Sequence, residues 1–400
     1  MKTSGVSADG QAIALACSTL AAGGERSAKP LSPTDWSALA ASLKAAEMRP
    51  HELLGRDAES IAARLGITAE PADRLASLMS RGGQLGLELE RLEGLGIWLI
   101  SHADDEYPAD LVTRLGRTAP PILFGSGPRR ALNERGIAVV GSRDADEDAL
   151  AYASRLGALC ASQGFAVISG AARGIDITAM MGAVEQGGTA IGITVDPLER
   201  LVRRADLRSA IADELLTLAT PFHPGARWHQ GNAMRRNRLI YAASRAAVVV
   251  TTAAGSGGTW AGAIEDLKGD WVPLHVRDDG SEGTRLLIAE GGRPLPTELD
   301  GLAVELLGEP RQDSLLTPPQ PPADEPPASA FEAVWPLFVL ALDQPRKEKE
   351  LAERLELQSS QVRAWLELAT EQGLVEVSKR PKRYSLVGHA TDAAQLHLDA

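Results

Sequence analysis

The sequence predicts an α/β protein: a parallel, doubly wound sheet preceded by a helical region and followed by a small unit of helices and a hairpin. Three observations carry this. Between residues 97 and 292, short apolar runs alternate with amphipathic stretches, the pattern of strands buried on both faces by helices. From about Ser32 to Gly96, apolar residues recur every three or four positions, with glycines at the ends of the runs, which reads as short helices. A proline-rich stretch, EPRQDSLLTPPQPPADEPPASA (309–330), then separates this body from a last apolar segment; it is too poor in large apolar residues to pack a core and is expected to be an extended linker.

Composition bounds the reading. Four hundred residues with 44% apolar and 24% charged content can bury more than one core. The two cysteines, Cys17 and Cys160, lie far apart, which suits a reducing compartment better than a disulfide framework. The apolar run Ala242–Thr252 is interrupted by Arg245 and is too short to span a bilayer. The N-terminus has a lysine and a weak apolar stretch, but Asp9 precedes that stretch. A flexible extension over residues 1–31, or a first short helix, is expected there rather than a secretory signal, and the expected location is cytoplasmic. A net charge of -12 argues against a protein that coats duplex DNA through charge alone, so local charge matters more than the sum.

The elements follow in order. DWSALAASLKAA (35–46), HELLG (51–55), AESIAARLG (58–66) and the stretch 71–96 are read as helices of a unit over 32–96, of SAM or helix-hairpin-helix type. IWLIS (97–101) and ILFG (122–125) are short strands at the entry to the α/β domain, 97–305. IAVVG (137–141), FAVISG (165–170), TAIGITV (189–195), AAVVVTT (246–252) and WVPLHV (271–276) are its buried strands, with helices between them. The linker is placed at 306–328 and a final unit at 329–388, before a flexible tail. In that unit FEAVWPLFVLAL, KEKELAERLEL and SSQVRAWLELATEQG read as helices and LVEVSKRPKRYSLV as a hairpin, the order of a winged helix.

The chemistry concentrates at the carboxyl ends of the predicted strands, where open α/β sheets bind ligands. VVGSR brings Gly141, Ser142 and Arg143 to one corner. ISGAARGID brings Ser169, Gly170, Arg173, Gly174 and Asp176 to a second, and TTAAGSGGTW brings Ser256, Gly257, Gly258 and Thr259 to a third. Glycines let a backbone approach a phosphate closely, and the helix that follows presents unpaired N–H groups to it. None of the corners matches a dinucleotide fingerprint or a Walker A loop, and no cofactor is expected. A basic, amide-bearing stretch lies beyond: Arg227, Trp228, His229, Gln230 and Asn232, then Arg235, Arg236, Asn237 and Arg238. In a net-acidic chain this suggests a phosphate-lined groove.

These motifs resemble the bacterial DNA-processing protein A family, also called Smf. GSR (141–143), SGAARGID (169–176), RRNRLI (235–240) and SGGTWAGA (256–263) occur in that family's order, after a similar YPADL (107–111) and PPILFGSG (120–127). The resemblance covers roughly residues 33–290 and implies a Rossmann-like domain that binds single-stranded DNA, with a C-terminal winged helix. It also implies a homodimer that assists loading of the RecA recombinase in transformation or recombination. Arg143, Ser169, Gly170, Arg173, Gly174, Arg236, Asn237 and Arg238 would line the DNA pocket, with Ser256, Gly257 and Gly258 beside it. The chain departs from the family pattern at Met180, where a histidine is usual, and in LLTLATPFHPG and TTAAGSGG.

A binder needs no acid, base or nucleophile, and no convincing catalytic set or metal-ligand spacing is found among the scattered histidines. The chain is therefore expected not to be an enzyme. Asp176, at a helix start, more simply caps backbone N–H groups than acts as a base. Two alternatives stay open. GSGGTWAGAIE, with Glu265, partly resembles the glycine-rich signature of LOG-type phosphoribohydrolases, and a winged helix behind a nucleotide-binding fold would suit a nucleotide-sensing transcription regulator. In the last unit, Arg363 between outward glutamates makes a poor base-reading surface. Lys379, Arg380, Lys382 and Arg383 around Pro381 form instead a basic wing suited to a phosphate backbone.

Overall fold

The computed structural model describes residues 5–21, 28–308, 338, 341–342, 344–355, 357–371, 374–379 and 382–386. The chain divides into two compact units, Met1–Arg311 and Gln312–Ala400. The proline-rich segment expected as a linker and the expected C-terminal tail lie outside the described residues, apart from the start of the former.

The first unit begins with α1 (Ala8–Cys17), where the Ser7 hydroxyl accepts the Gly10 N–H at 3.1 Å. Ala12, Ile13, Ala14, Leu15 and Ala16 are all buried. Of the two expectations here, a flexible extension or a first short helix, the second describes Ala8–Cys17, which is a helix of the core. From Ala12 to Cys17 it is apolar on every face, and such a stretch is stable only when enclosed. Asp9 is buried with it and holds the following segment: its carboxylate accepts the His51 backbone N–H at 2.8 Å and pairs with the Arg49 guanidinium. Burial raises the Asp9 carboxyl and the His51 and Arg49 hydrogen bonds lower it, leaving it below its usual range.

Next come α2 (Pro33–Ala45), closed by a reciprocal Ser32–Asp35 capping box, and a short turn of 3-10 helix at Pro50–Leu53. α3 (Ala58–Leu65), α4 (Ala69–Met79) and α5 (Gly82–Glu93) follow. The expected boundary near residue 96 does not divide the packing. Trp36, Leu43, Leu78 and Leu92 belong to the same core as Leu99, Phe124, Val139 and Leu218 of the sheet.

The sheet and its helices run β1 (Trp98–Ser101), α6 (Ala109–Leu115), β2 (Ile122–Ser126), β3 (Gly136–Val140), α7 (Glu147–Ser162), β4 (Ala166–Ser169) and α8 (Ile175–Glu185). β5 (Ala190–Ile193), α9 (Leu198–Leu201), α10 (Ala205–Ala212), β6 (Leu216–Thr220) and α11 (Gln230–Ala242) follow. The unit closes with β7 (Ala246–Val249), α12 (Gly257–Gly269), β8 (Leu274–Arg277), α13 (Glu282–Ala289) and β9 (Arg293–Leu295); β6 and β9 are strands the sequence pattern does not predict. The order across the sheet is β1-β2-β6-β5-β4-β3-β7-β8-β9. β1 and β2 are antiparallel to their neighbours, whereas β6 through β9 form a parallel block. The chain winds outward from β3 to β6, then returns to the other side of β3 and winds outward again. The carboxyl ends of β3 and β7 therefore flank the point where the winding reverses, which opens a crevice in this kind of sheet. No described helix is long and apolar enough to cross a membrane.

In the second unit, α14 (Glu348–Arg354) and α15 (Ser359–Glu371) pack with the antiparallel hairpin β10 (Val375–Lys379) and β11 (Lys382–Leu386). Val362, Leu366 and Ala369 repeat at helical spacing and are buried with Phe338, Leu351, Val375 and Tyr384. The greater part of the helix expected at 331–342 lies outside the described residues, but Phe338, Ala341 and Leu342 are buried.

Helices α7 and α8 meet backbone to backbone. A Cβ added at Gly157 would stand 2.1 Å from the Ala179 carbonyl oxygen. Gly157→Ala should force the pair apart and lower stability by about 1–3 kcal/mol, read as a lower urea midpoint with an unchanged slope.

Candidate nucleic-acid interface

The crevice beside β3 is a cleft of about 660 Å³. One wall is the turn after β3, from Val140 to Asp144; another is the loop after β7 and the first turn of α12, with Thr252, Ala253 and Ser256–Thr259; the third is the face of α11. Two hydrogen bonds tie the walls together. The Thr259 hydroxyl donates to the Gly141 carbonyl at 3.0 Å, and the Asn237 amide donates to the Gly258 carbonyl at 3.0 Å. Ser256 precedes α12 without a side-chain capping bond, so its hydroxyl leaves the N–H groups of that first turn unspent.

Helical geometry decides which part of the basic stretch enters the cleft. Ala233, Arg236, Asn237, Ile240 and Tyr241 recur at spacings of three and four and line it. Arg235 and Arg238 lie on other faces of the helix. Arg235 is exposed, with its guanidinium 5.7 Å from the centre of the Phe222 ring. Arg238 forms an ion pair with Glu265 at 2.5 Å. That pair also engages the carboxylate on which the hydrolase alternative depends.

Arg236 is the centre of the site. Its side chain is buried, with 4% of the residue exposed, yet its Nε and Nη1 have no hydrogen-bond partner. The nearest countercharge is Asp176, at 3.9 Å from Nη1, beyond hydrogen-bonding distance. Burial lowers the Arg236 pKa and raises that of Asp176, and each is partly offset by the other's charge. Asp176 also receives the backbone N–H groups of Gly141, Ala172 and Gly170. It therefore serves as a countercharge held by the N–H groups of the neighbouring loops, and not by those of the first turn of α8 as the sequence pattern suggests.

The second corner supports this arrangement from behind. Ser169 is fully buried and donates to the Val139 carbonyl at 2.5 Å. A Cβ at Gly170 would come within 1.6 Å of Arg236 Nη1, so the guanidinium fits only because residue 170 has no side chain. Gly174 has φ +89° and lies against the Ser142 carbonyl. Arg173 is exposed and is not part of the cleft lining, but it pairs with Asp144, which is. Of the expected site, Gly141, Ser142, Arg143, Arg236, Asn237, Ser256, Gly257 and Gly258 converge on the cleft, and Ser169, Gly170 and Gly174 shape it from outside. Trp228, Tyr241 and Thr259 also line it, beyond the residues expected as DNA contacts. The signal for Trp228 is a lone aromatic in a polar run.

In the second unit, Lys382 is exposed, with its ammonium 5.4 Å from the centre of the Tyr384 ring, and Arg383 donates to the Pro345 carbonyl at 3.0 Å. Arg380 and the side chain of Lys379 lie outside the described residues. Arg363 is held by Glu348 at 2.9 Å. Among the described residues, no three His, Cys, Asp or Glu side chains gather as a metal site.

The family model for the DNA recombination-mediator protein A matches residues 98–306, slightly more than half of the chain. The chain belongs to this family. It is 32% identical over 256 residues to a putative DNA processing protein DprA of Mycobacterium tuberculosis, covering 59% of this chain and 61% of the relative. It is 30% identical over 235 residues to the protein Smf of Escherichia coli, covering 56% and 61%. The chain thus spans less than two thirds of the length of these relatives. The X-ray structure of DNA processing protein A from Streptococcus pneumoniae superposes with a TM-score of 0.51 at 23% identity, over 68% of this chain and 92% of that one. This likeness supports the mixed α/β architecture with its N-terminal helical region.

Asp266, on α12 behind the cleft, is fully buried, and burial with a contribution from Asp270 pushes its carboxyl up from 3.8 to about 7. The folded chain therefore holds this proton more tightly than the unfolded chain. The stability associated with the protonated group is fully present below about pH 4 and is lost as pH rises through about 7. Asp266→Asn should accordingly gain stability relative to the unchanged protein across that window and level off above it, as measured by urea unfolding at a series of pH values.

Proposed function

We propose that this protein binds single-stranded DNA in the cleft beside β3, with a backbone phosphate seated on Arg236. The observation that carries the reading is the buried Arg236, a residue of the cleft lining whose Nε and Nη1 have no hydrogen-bond partner. An unsatisfied buried donor is costly, and an arginine stays charged despite burial. A bound anion would satisfy it. The unspent N–H groups at the start of α12 and the Arg143 side chain would share that anion, and the glycines at 257 and 258 allow a close approach. Membership of a recombination-mediator family supports DNA as the source of the phosphate. The strand order supports a Rossmann-like, doubly wound domain, and the helices and hairpin of the second unit support a winged helix. Self-association as a dimer and contact with RecA extend the reading from the family, as does a role in transformation or recombination.

Fluorescence anisotropy with a labelled oligonucleotide tests the central claim. The full chain should bind a single strand more tightly than a blunt duplex, with little sequence preference. Arg236→Ala should weaken binding to all sequences alike and reduce the salt slope by about one unit. Equal or absent binding of the two forms would count against the assignment, and an unchanged slope would make Arg236 a structural residue.

The second unit is proposed as an auxiliary module. Its α15 presents Gln361, Arg363 and Glu367 outward, and Arg363 is already engaged by Glu348. Lys382 on the hairpin, exposed beside the Tyr384 ring, would meet a phosphate as a weak, salt-sensitive contact. Removing residues 309–400 should reduce affinity modestly and leave single-strand binding intact, as titrations at two salt concentrations would show. Complete loss of binding by a folded first unit would move the main site to the second.

A further inference from the structure

The phosphate site explains attraction to any nucleic acid, but it does not by itself explain a preference for unpaired strands. A second feature of the cleft does. Trp228 stands in the extended segment between β6 and α11, lines the cleft, and is 47% exposed. The other described tryptophans are committed to packing. Trp36 is buried, Trp98 donates its indole N–H to the Gly127 carbonyl, and Trp260, Trp271 and Trp365 are partly buried against the cores. Against Trp228, at one side, lies the Arg143 guanidinium, 5.9 Å from the ring centre. An exposed indole beside a cationic side chain, on the rim of a cleft with a buried, unpartnered arginine, is suited to an aromatic anion. A nucleotide has that chemistry: a flat base for the ring and a phosphate for the arginine.

We propose that Trp228 is a stacking platform for one unpaired base of the strand whose phosphate is held at Arg236. This rests on the single-strand reading above and adds the physical source of its selectivity. Stacking on a side chain needs an open base face, which a strand offers and an intact duplex does not. Every base has such a face, so the contact selects for unpaired character rather than for sequence. The Arg143 guanidinium lies over the Trp228 ring, as a cation against one side of the indole and a donor to the phosphate of the same nucleotide, which leaves the exposed remainder of the ring to the base.

The experiment compares two probes of equal length and charge: oligo-thymidylate and a strand of abasic sugar–phosphate units. The full chain, Trp228→Ala and Trp228→Phe are titrated with each at two salt concentrations. The unchanged protein should bind the thymidylate strand about tenfold more tightly than the abasic one, the scale of one base–aromatic stack. Trp228→Ala should bind both at the abasic level with an unchanged salt slope, and Trp228→Phe should keep most of the discrimination. A thermal melt matching the unchanged protein would show that the alanine variant is folded. Tight and equal binding of both strands by the unchanged protein would overturn the stacking role while leaving the phosphate reading intact. Discrimination that survives Trp228→Ala would also overturn it, by placing base contact elsewhere. Failure to bind either strand would remove both readings together.

Discussion

The site depends on one buried charge. Arg236 comes out of water at the bottom of the cleft with its nearest partner, Asp176, at 3.9 Å. At that distance the two charges attract without hydrogen bonding, so the carboxylate balances the guanidinium but leaves its donors unspent. Burying an arginine this way is tolerable only if something else answers it. Much of the local structure is arranged around that requirement. Gly170 makes room for the guanidinium, and the backbone N–H groups of Gly141, Ala172 and Gly170 hold Asp176 in its place. Any side chain at residue 170 would strike the arginine, so the glycine in SGAARGID belongs to the arginine as much as to the turn.

The sheet places these groups within reach of each other. Gly141 follows β3, Thr252 follows β7, and Arg236 lies on the helix between β6 and β7. They converge because the winding reverses at β3, which puts the ends of two strands distant in sequence side by side. The Thr259–Gly141 and Asn237–Gly258 hydrogen bonds then fix the walls of the cleft. Asn237, expected as a DNA contact, also braces the glycine loop that lines the cleft. A net charge of -12 is compatible with this arrangement, since the acidic groups near it are spent locally, Asp144 on Arg173 and Glu265 on Arg238.

The N-terminal helices are part of the same construction. Helix α1 carries a continuous run of small and branched apolar side chains into the core that lies behind the sheet. Its buried Asp9 binds the turn at Pro50–Leu53 through His51 and Arg49. The helical region is therefore packed as an extension of the α/β core. A segment boundary drawn where the periodicity changes, near residue 96, marks a change in local structure and not a break in burial.

Alternation of apolar runs with amphipathic stretches determined most of the strands and helices and the parallel block, because side-chain periodicity is a local property of the chain; β6, β9 and the antiparallel pairing of β1 and β2 came only with the structure. The glycine corners and the RRNR run were equally legible, since they are short and adjacent in sequence. Tertiary structure decided what each of those residues does. The four members of RRNR project at about 100° intervals around a helix, so a local basic run separates into one buried arginine in the cleft, one amide that braces a loop, and two arginines turned elsewhere. Ser169 and Gly170 look like ligand contacts in sequence and become supports, because the chain folds them behind Arg236. Helix α1 is hard to read in sequence for a related reason: alanines and a few aliphatic residues look weak as a linear pattern, and their value appears only when the sheet and helices α2 to α5 close over them. Trp228 likewise has no periodic partner in the sequence, and only the reversal of winding at β3 brings it to the rim of the cleft.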